Sequence, residues 1–218
     1  CEIASERNWN FYIIGDTKTP HSEYNELTNK YGKNIHYLDP TYQSEKYSEL
    51  SDLIGWKTIQ RRNIGFVHAY NEGADIIATV DDDNIPYDTW GTNIYVGKTI
   101  SVDTYTPKNE TVFDPLSITK NNHLWHRGYP IDFLDSKNDV IYNGKTKVKV
   151  DVQADLWDGD PDIDAMARLT YKSIVKYSEI TSPYRSPAMS PFNSQNTFLS
   201  RAMFPCYSVL PFIGRMDD

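Results

Sequence analysis

Apolar and polar positions fall in blocks along the first ninety residues. The most sharply bounded block is 76–80, Ile-Ile-Ala-Thr-Val, which stops at Asp81-Asp82-Asp83. Its length and its apolar, β-branched content predict a strand buried on both faces. Phe11-Tyr12-Ile13-Ile14-Gly15-Asp16 predicts another strand over 10–15, ending in turn residues. Ile35-His36-Tyr37-Leu38 predicts a third. Ile59, Arg62, Asn63, Phe66, Val67 and Tyr70 recur at helical spacing, so a helix is predicted over 56–72, closed by Gly73. A further helix is predicted over 22–31, and residues 1–9 read as the end of one. Strand and helix in alternation predict an α/β fold, a parallel or mixed sheet covered by helices.

Beyond Pro86 the pattern changes. Residues 91–113 hold strand-like pieces such as 92–96, and 138–150 read as a hairpin turning at Asn143-Gly144. A helix is predicted over 164–171, a Ser- and Pro-rich loop over 182–194, and a helix or irregular segment over 197–206. No repeat and no domain boundary stands out, so 1–218 reads as a single domain. It opens in mid-helix without Met and closes on Asp217-Asp218, and so reads as a domain cut at both ends. The net charge of −8 argues against a nucleic-acid partner. No apolar run approaches the ~18 residues of a membrane span. Cys1 and Cys206 make neither a disulfide framework nor a zinc site, and free thiols point to the cytoplasm. The 16 Tyr and 5 Trp suit a cleft that stacks rings or sugars, or equally a Tyr-rich surface.

Three carboxylates crowded at a strand end repel one another unless a cation sits among them. Ligands of open α/β sheets bind outside the carboxyl ends of the strands. An all-oxygen site suits Mg²⁺ or Mn²⁺, which pair with a substrate's phosphates. A solvated acidic turn would use Asp-Asp-Asp-Asn before Pro86 just as well. Arg61-Arg62 reads either as a reach toward a base or phosphate or as a solvated helix face. His123-Leu-Trp125-His126-Arg127-Gly128-Tyr129-Pro130 suits a loop contacting a charged, ring-bearing ligand, through Arg127 more than the histidines. Alternatively its Trp packs on the core. Asp155, Asp158, Asp160, Asp162 and Asp164 crowd one loop without the EF-hand pattern. Asp162 and Asp164 suit the start and cap of the next helix, and the others suit sugar hydroxyls. The amides and hydroxyls of Asn193-Ser194-Gln195-Asn196-Thr197 suit loop backbone or a polyhydroxylated ligand.

Taken together, several motifs resemble the STELLO family of glycosyltransferase-like proteins: Arg62-Asn-Ile-Gly65-Phe, Glu72-Gly-Ala-Asp75, Arg127-Gly with Pro130, Gly159-Asp-Pro161-Asp162-Ile-Asp164, and Pro191-Phe-Asn193-Ser-Gln-Asn196-Thr. Asp81-Asp82-Asp83, Arg127-Gly-Tyr-Pro130 and Gly214-Arg215-Met-Asp217-Asp218 are similar to the reversibly glycosylated polypeptides, or UDP-arabinopyranose mutases. The resemblance implies a GT-A fold, a Rossmann-like nucleotide-sugar domain on a mixed, mainly parallel central sheet. It implies a metal-dependent glycosyltransferase with Asp81 and Asp83 on Mn²⁺ or Mg²⁺, a UDP-sugar donor and a carbohydrate or glycan acceptor. Asp16, Arg62, Asp81, Asp82, Trp125, Asp158, Asp160 and Asn196 are the residues expected at the nucleotide sugar, with Trp125 and Trp157 stacking on base or sugar. Arg127 is expected to stabilise the leaving diphosphate, and Asp217 or Asp218 to serve as base. In the mutases the arginine matching Arg127 is the one that becomes glycosylated, so a mutase is the first alternative. A non-catalytic domain regulating a partner synthase is the second, and the intact triplet argues against it. A calcium-binding structural domain, built on the 155–164 loop, is a remote third. The chain departs from the mutases in carrying Asn84 where they carry cysteine, and in its segment around Asn143.

Overall fold

The computed structural model describes residues 1–81, 83–192 and 194–208. The protein is mixed α/β, and its internal contacts divide it into two compact units. One comprises 1–77, 85–92 and the segment from 199; the other comprises 78–84 and 93–198.

The first unit begins with α1 (Glu2–Glu6), β1 (Phe11–Ile14), α2 (His21–Tyr31) and β2 (Ile35–Leu38). β1 and β2 pair in parallel, from Phe11 opposite Ile35 to Ile14 opposite Leu38. The predicted helix over 56–72 is shorter than expected: a 3-10 turn (Ile59–Arg61) leads into α5 (Arg62–Asn71). α5 packs on β1, and Gly65 permits the approach, because a Cβ there would lie 3.1 Å from Ile14 Cγ1. Ile64, Phe66 and Ala69 of α5 are buried, as are Ile35 and Leu38 of β2.

Two helices fell outside the sequence reading, α3 (Pro40–Lys46) and α4 (Ser48–Ile54). Their buried residues are polar, Gln43 and Ser51, so no apolar stripe announces them. α3 has a legible start: the Asp39 carboxylate accepts from Tyr42 N at 2.8 Å, with Pro40 at the first helical position. Gln43 is fully buried, and its Nε2 donates to Gly15 O and Leu38 O at 2.7 and 2.6 Å. Its Oε1 accepts from Arg61 Nε at 3.1 Å and from Nη2 of the same guanidinium. Arg61 Nη1 donates to Ser51 Oγ at 2.9 Å and Gly55 O at 3.1 Å, and the group lies 3.7 Å over the Trp56 ring. The ends of both strands are thus tied to α3 and α4 by one buried polar network.

β3 (Ile76–Val80) forms where predicted, but it is not buried on both faces. Thr79 is its one buried residue, and Ile76 is 39% exposed. An apolar run tells how a strand could be buried, not whether neighbours cover it.

In the second unit β4 (Thr99–Pro107) begins after the segment 92–96, which is not a strand. The expected hairpin over 138–150 is one strand, β5 (Val140–Lys149), antiparallel to β4. Asn143-Gly144 sits in mid-strand: Tyr105 faces Tyr142 and Asp103 faces Lys145, so two residues of β5 oppose Thr104 alone. That is a β-bulge, and Gly144 at φ +82° takes the conformation that an Asn-Gly turn would also have used. The unit continues with β6 (Val152–Ala154), α6 (Ala165–Thr170) and β7 (Tyr184–Arg185), the last parallel to β4 inside the expected loop. β8 (Asn196–Ser200) is a strand where a helix or irregular segment was expected. Among the described residues the sheets are small: β1-β2, β3-β8-β6 and β5-β4-β7, in place of one mainly parallel central sheet. Leu116, Leu124, Ile163, Ala167, Val175 and Tyr177 form the core of this unit. Among the described residues no helix is long and apolar enough to cross a membrane.

The buried network carries a testable consequence. Gln43→Leu removes the acceptor of a buried guanidinium and the donor to two strand-end carbonyls. It should lower the unfolding free energy by about 3 kcal/mol, measured by urea denaturation, although leucine matches glutamine in volume.

Candidate functional site

β3 ends at Val80, and Asn84 N donates back to Asp81 O at 3.4 Å. Two side chains tie this stretch to the run before β8. Thr79 Oγ1 donates to Ser194 O and Asn84 Nδ2 to Gln195 O, both at 2.9 Å. Asn196 then meets Asp155 through both main chain and side chain: Asp155 N donates to Asn196 O at 2.9 Å and Asn196 Nδ2 to Asp155 O at 3.3 Å. Three segments marked in the sequence, the acidic strand end, the amide run and the acid-rich loop, are therefore contiguous. Asp83 is exposed and Asp81 half-buried, while Asp82 and Asn193 lie outside the described residues. The donor set at the turn is carboxylate and carbonyl oxygen, which fits a hard divalent cation. Among the described residues no three His, Cys, Asp or Glu side chains are gathered as a metal site.

The Arg127 loop is held firmly from both sides. Leu124 is fully buried in the core, and Trp125 packs against it, as the alternative reading of this loop had it. Asp164 N donates to Trp125 O at 3.0 Å, His126 bridges to Ile163, and Tyr129 N returns to His126 O at 3.1 Å. Gly128, at φ +83°, makes the turn. Arg127 Nη2 donates to Asp162 Oδ2 at 2.7 Å, with its side chain 30% exposed. Bonded to the neighbouring His126 is a group the sequence reading missed, Asp114, with no exposure to water. Its carboxylate accepts from Leu116 N at 2.8 Å, His126 N at 3.0 Å and His126 Nδ1 at 2.8 Å. Burial by itself would raise the Asp114 pKa, but the hydrogen bond and charge of His126, then the charge of Lys137, hold it below the ordinary 3.8. Lys137 is itself buried, which pulls its pKa down, and its Nζ donates to Asn138 Oδ1 at 2.8 Å. Asp114-Pro115 is legible as a cap followed by a proline, but nothing in the sequence marks the carboxylate as buried.

The acid-rich loop commits its carboxylates within the chain. Gln153 Nε2 donates to both oxygens of Asp155, whose pKa is raised by burial. Asp158 accepts from Tyr177 N at 2.9 Å, Asp160 pairs with Arg168, and Asp162 pairs with Arg127. Asp164 caps α6 by accepting from Met166 N at 2.8 Å, as predicted. Trp157 Nε1 donates to Asp160 O at 3.3 Å.

Two expected nucleotide-sugar residues belong to the first unit. Asp16 follows β1. Its Oδ1 accepts from Thr17 N at 2.5 Å, and its Oδ2 from Lys57 N at 2.7 Å. Burial opposes the charged form, but the hydrogen bonds of Thr17, Lys57 and Thr58 outweigh it and lower its pKa. Arg62 opens α5 and is half-buried, whereas its neighbour Arg61 belongs to the buried network described above. This unit also holds an unforeseen cleft of about 340 Å³, lined by Asn25, Thr28, His36, Tyr37, Tyr42 and His68. His68 Nδ1 lies 2.7 Å from Tyr47 Oη, and burial followed by the charge of Lys46 lowers its pKa. Asp217 and Asp218 lie outside the described residues.

The sign of the Asp114 shift sets a pH dependence. A carboxyl whose folded pKa is depressed stabilises the fold above its unfolded pKa, about 3.9, and that contribution is lost as pH falls through the folded value. Asp114→Asn should therefore lose about 2–4 kcal/mol at neutral pH. The gap to the wild-type protein should narrow as pH drops below about 4, in urea unfolding curves taken across that range.

In comparisons with known proteins, the sequence matches no family model and no curated protein.

Proposed function

We propose that this protein is a metal-dependent glycosyltransferase of the GT-A type, acting on a nucleotide-diphospho-sugar, with a UDP-sugar as donor and a carbohydrate or glycan hydroxyl as acceptor. The observation that carries the proposal is the contiguity of the strand-end turn bearing Asp81 and Asp83 with the 194–196 run and Asp155, tied by Asn84–Gln195 and Asn196–Asp155. The motif resemblance to STELLO-like proteins and to the reversibly glycosylated polypeptides supports the same reading. Asp81 and Asp83 would hold Mn²⁺ or Mg²⁺. The bound ion would neutralise charge on the leaving diphosphate. Arg127, braced by Asp162, is the protein's own cation for that diphosphate. Trp125, Asp158, Asp160 and Asn196 complete the proposed nucleotide-sugar set; Asp16 and Arg62, with Asp217 or Asp218 as base, are what the resemblance alone implies. The two unpaired cysteines suit a cytoplasmic setting.

A mutase uses the same residues differently, with Arg127 as the group that receives the sugar. The partial exposure of its side chain keeps that reading open to test. Incubation with a panel of nucleotide sugars and Mn²⁺, followed by NMR of nucleotide release and sugar ring form, separates the two. Release with glycoside formation supports transfer; ring isomerisation without an acceptor, with a mass increment on Arg127, supports the mutase.

Two variants sharpen the test. Asp83→Ala should abolish Mn²⁺-dependent UDP binding in calorimetry while the fold is retained, since an exposed strand-end carboxylate adds little stability. Unchanged affinity would reduce the triplet to a turn. Arg127→Lys should lose turnover on the order of 100-fold, because an ammonium cannot replace a planar guanidinium that spans Asp162 and a diphosphate. Full turnover in the lysine variant would place Arg127 outside the site.

A further inference from the structure

We propose that His126 is the proton-accepting group of this site and that Asp114 is its positioning residue. The geometry is that of an imidazole oriented through one nitrogen so that the other is presented outward. Asp114 Oδ1 lies 2.8 Å from His126 Nδ1, while Oδ2 accepts from the backbone N–H of the same residue at 3.0 Å. A carboxylate can only accept here, so Nδ1 carries the hydrogen and the neutral ring holds its lone pair on Nε2. Among the described residues Nε2 has no partner. The carboxylate is completely buried, whereas the imidazole is 13% exposed, so the dyad has one inner and one outer end.

The ring is also pre-positioned. The segment on either side of it is fixed by the buried Leu124, the bridge to Ile163, and the Tyr129 N to His126 O bond. A ring held so closely loses little orientation on reaction. The charged groups around it are Asp114 and, against that carboxylate, Lys137; the phenols of Tyr129, Tyr177 and Tyr184, their pKa raised by burial and by Asp114, are neutral neighbours. Arg127, the next residue, is paired with Asp162. An imidazolium formed at Nε2 would therefore be balanced by a full negative charge 2.8 Å from Nδ1. A histidine serving only to fill the loop would need neither a buried anion nor an outward nitrogen.

The step rests on the glycosyl-transfer reading for its substrate. The acceptor hydroxyl gives its proton to Nε2 as its oxygen bonds to the anomeric carbon. The bond from that carbon to the diphosphate breaks, and the electron pair leaves on the diphosphate oxygen. The proton later passes from Nε2 to water. His126 thus takes the role that the resemblance gives to Asp217 or Asp218, and the variants can be set against one another.

Nitrogen-15 NMR of the histidine rings reads the tautomer directly. The expected result is hydrogen on Nδ1 and a bare Nε2 in the neutral ring, with Asp114→Asn shifting the balance toward Nε2–H; a wild-type ring already carrying Nε2–H overturns the proposal. In turnover assays His126→Gln should lower kcat by 10²–10⁴-fold with Mn²⁺–UDP affinity unchanged. Asp114→Asn should lower kcat by less and leave the acceptor KM in place. Wild-type turnover in His126→Gln, or loss confined to Asp217→Asn and Asp218→Asn, overturns it. Should the wild-type protein turn over no nucleotide sugar, the transferase reading fails by itself. The dyad is then decided by acylation with diethyl pyrocarbonate. Faster modification of His126 than of the exposed His123, abolished in Asp114→Asn, supports the assignment, and equal or slower modification overturns it.

Discussion

A carboxylate with no contact with water must be met on every side by donors, and in the second unit that demand falls on Asp114. Its two oxygens collect the N–H of Leu116, the N–H of His126 and the imidazole of His126. Two stretches twelve residues apart are thereby fixed to one point. Once His126 is set, Arg127 is set as well, because the bridge to Ile163 brings Asp162 beside the guanidinium. The core of Leu116, Leu124 and Ile163 closes around the same stretch of chain. Apolar burial supplies the bulk of the cohesion there. The direction of the loop comes from the buried anion.

The first unit solves an analogous problem with a neutral side chain. The carbonyls at the ends of β1 and β2 are capped by the Gln43 amide, whose oxygen in turn receives Arg61. The guanidinium is stacked on Trp56 and bonded to Ser51 and Gly55, so its charge is shared over several oxygens, and among the described residues it makes no direct ion pair with a carboxylate. Satisfying such a network completely is what makes it directional, since each missing bond would leave a polar group stranded.

What could be read in the sequence was whatever depends on short-range pattern. β1, β2, β3 and α2 came from local runs, and the Asp164 cap from one residue type before a helix. α3 and α4 were missed because their buried faces are polar. Asn143-Gly144 was read as a hairpin turn because the same left-handed glycine serves a turn or a bulge, and only the partner strand decides between them. The site shows the same division. The clustering of acids at 155–164 was visible, but their pairing with Gln153, Tyr177, Arg168 and Arg127 was not. Those partners lie as far as 35 residues away, beyond any window of periodicity. Asp114 was silent for the same reason: a capping aspartate and a buried anchor have identical sequence signatures.

The bulge in β5 decides which way its lysines face. Past the extra residue, Lys145, Lys147 and Lys149 oppose Asp103, Ser101 and Thr99, on the outward side of the pleat. Thr146 and Val148 oppose Val102 and Ile100, on the side where Val102 is buried. A strand of unbroken alternation would have carried the three ammonium groups inward. Among the described residues β5 is an outer strand of its sheet. Lysines are the side chains that natural sheets use to keep such borders from zipping together. One surplus residue therefore keeps three lysines on the solvent side of an outer strand, where Lys145 reaches Asp103 at 3.9 Å and Lys149 reaches Asp151 at 4.0 Å.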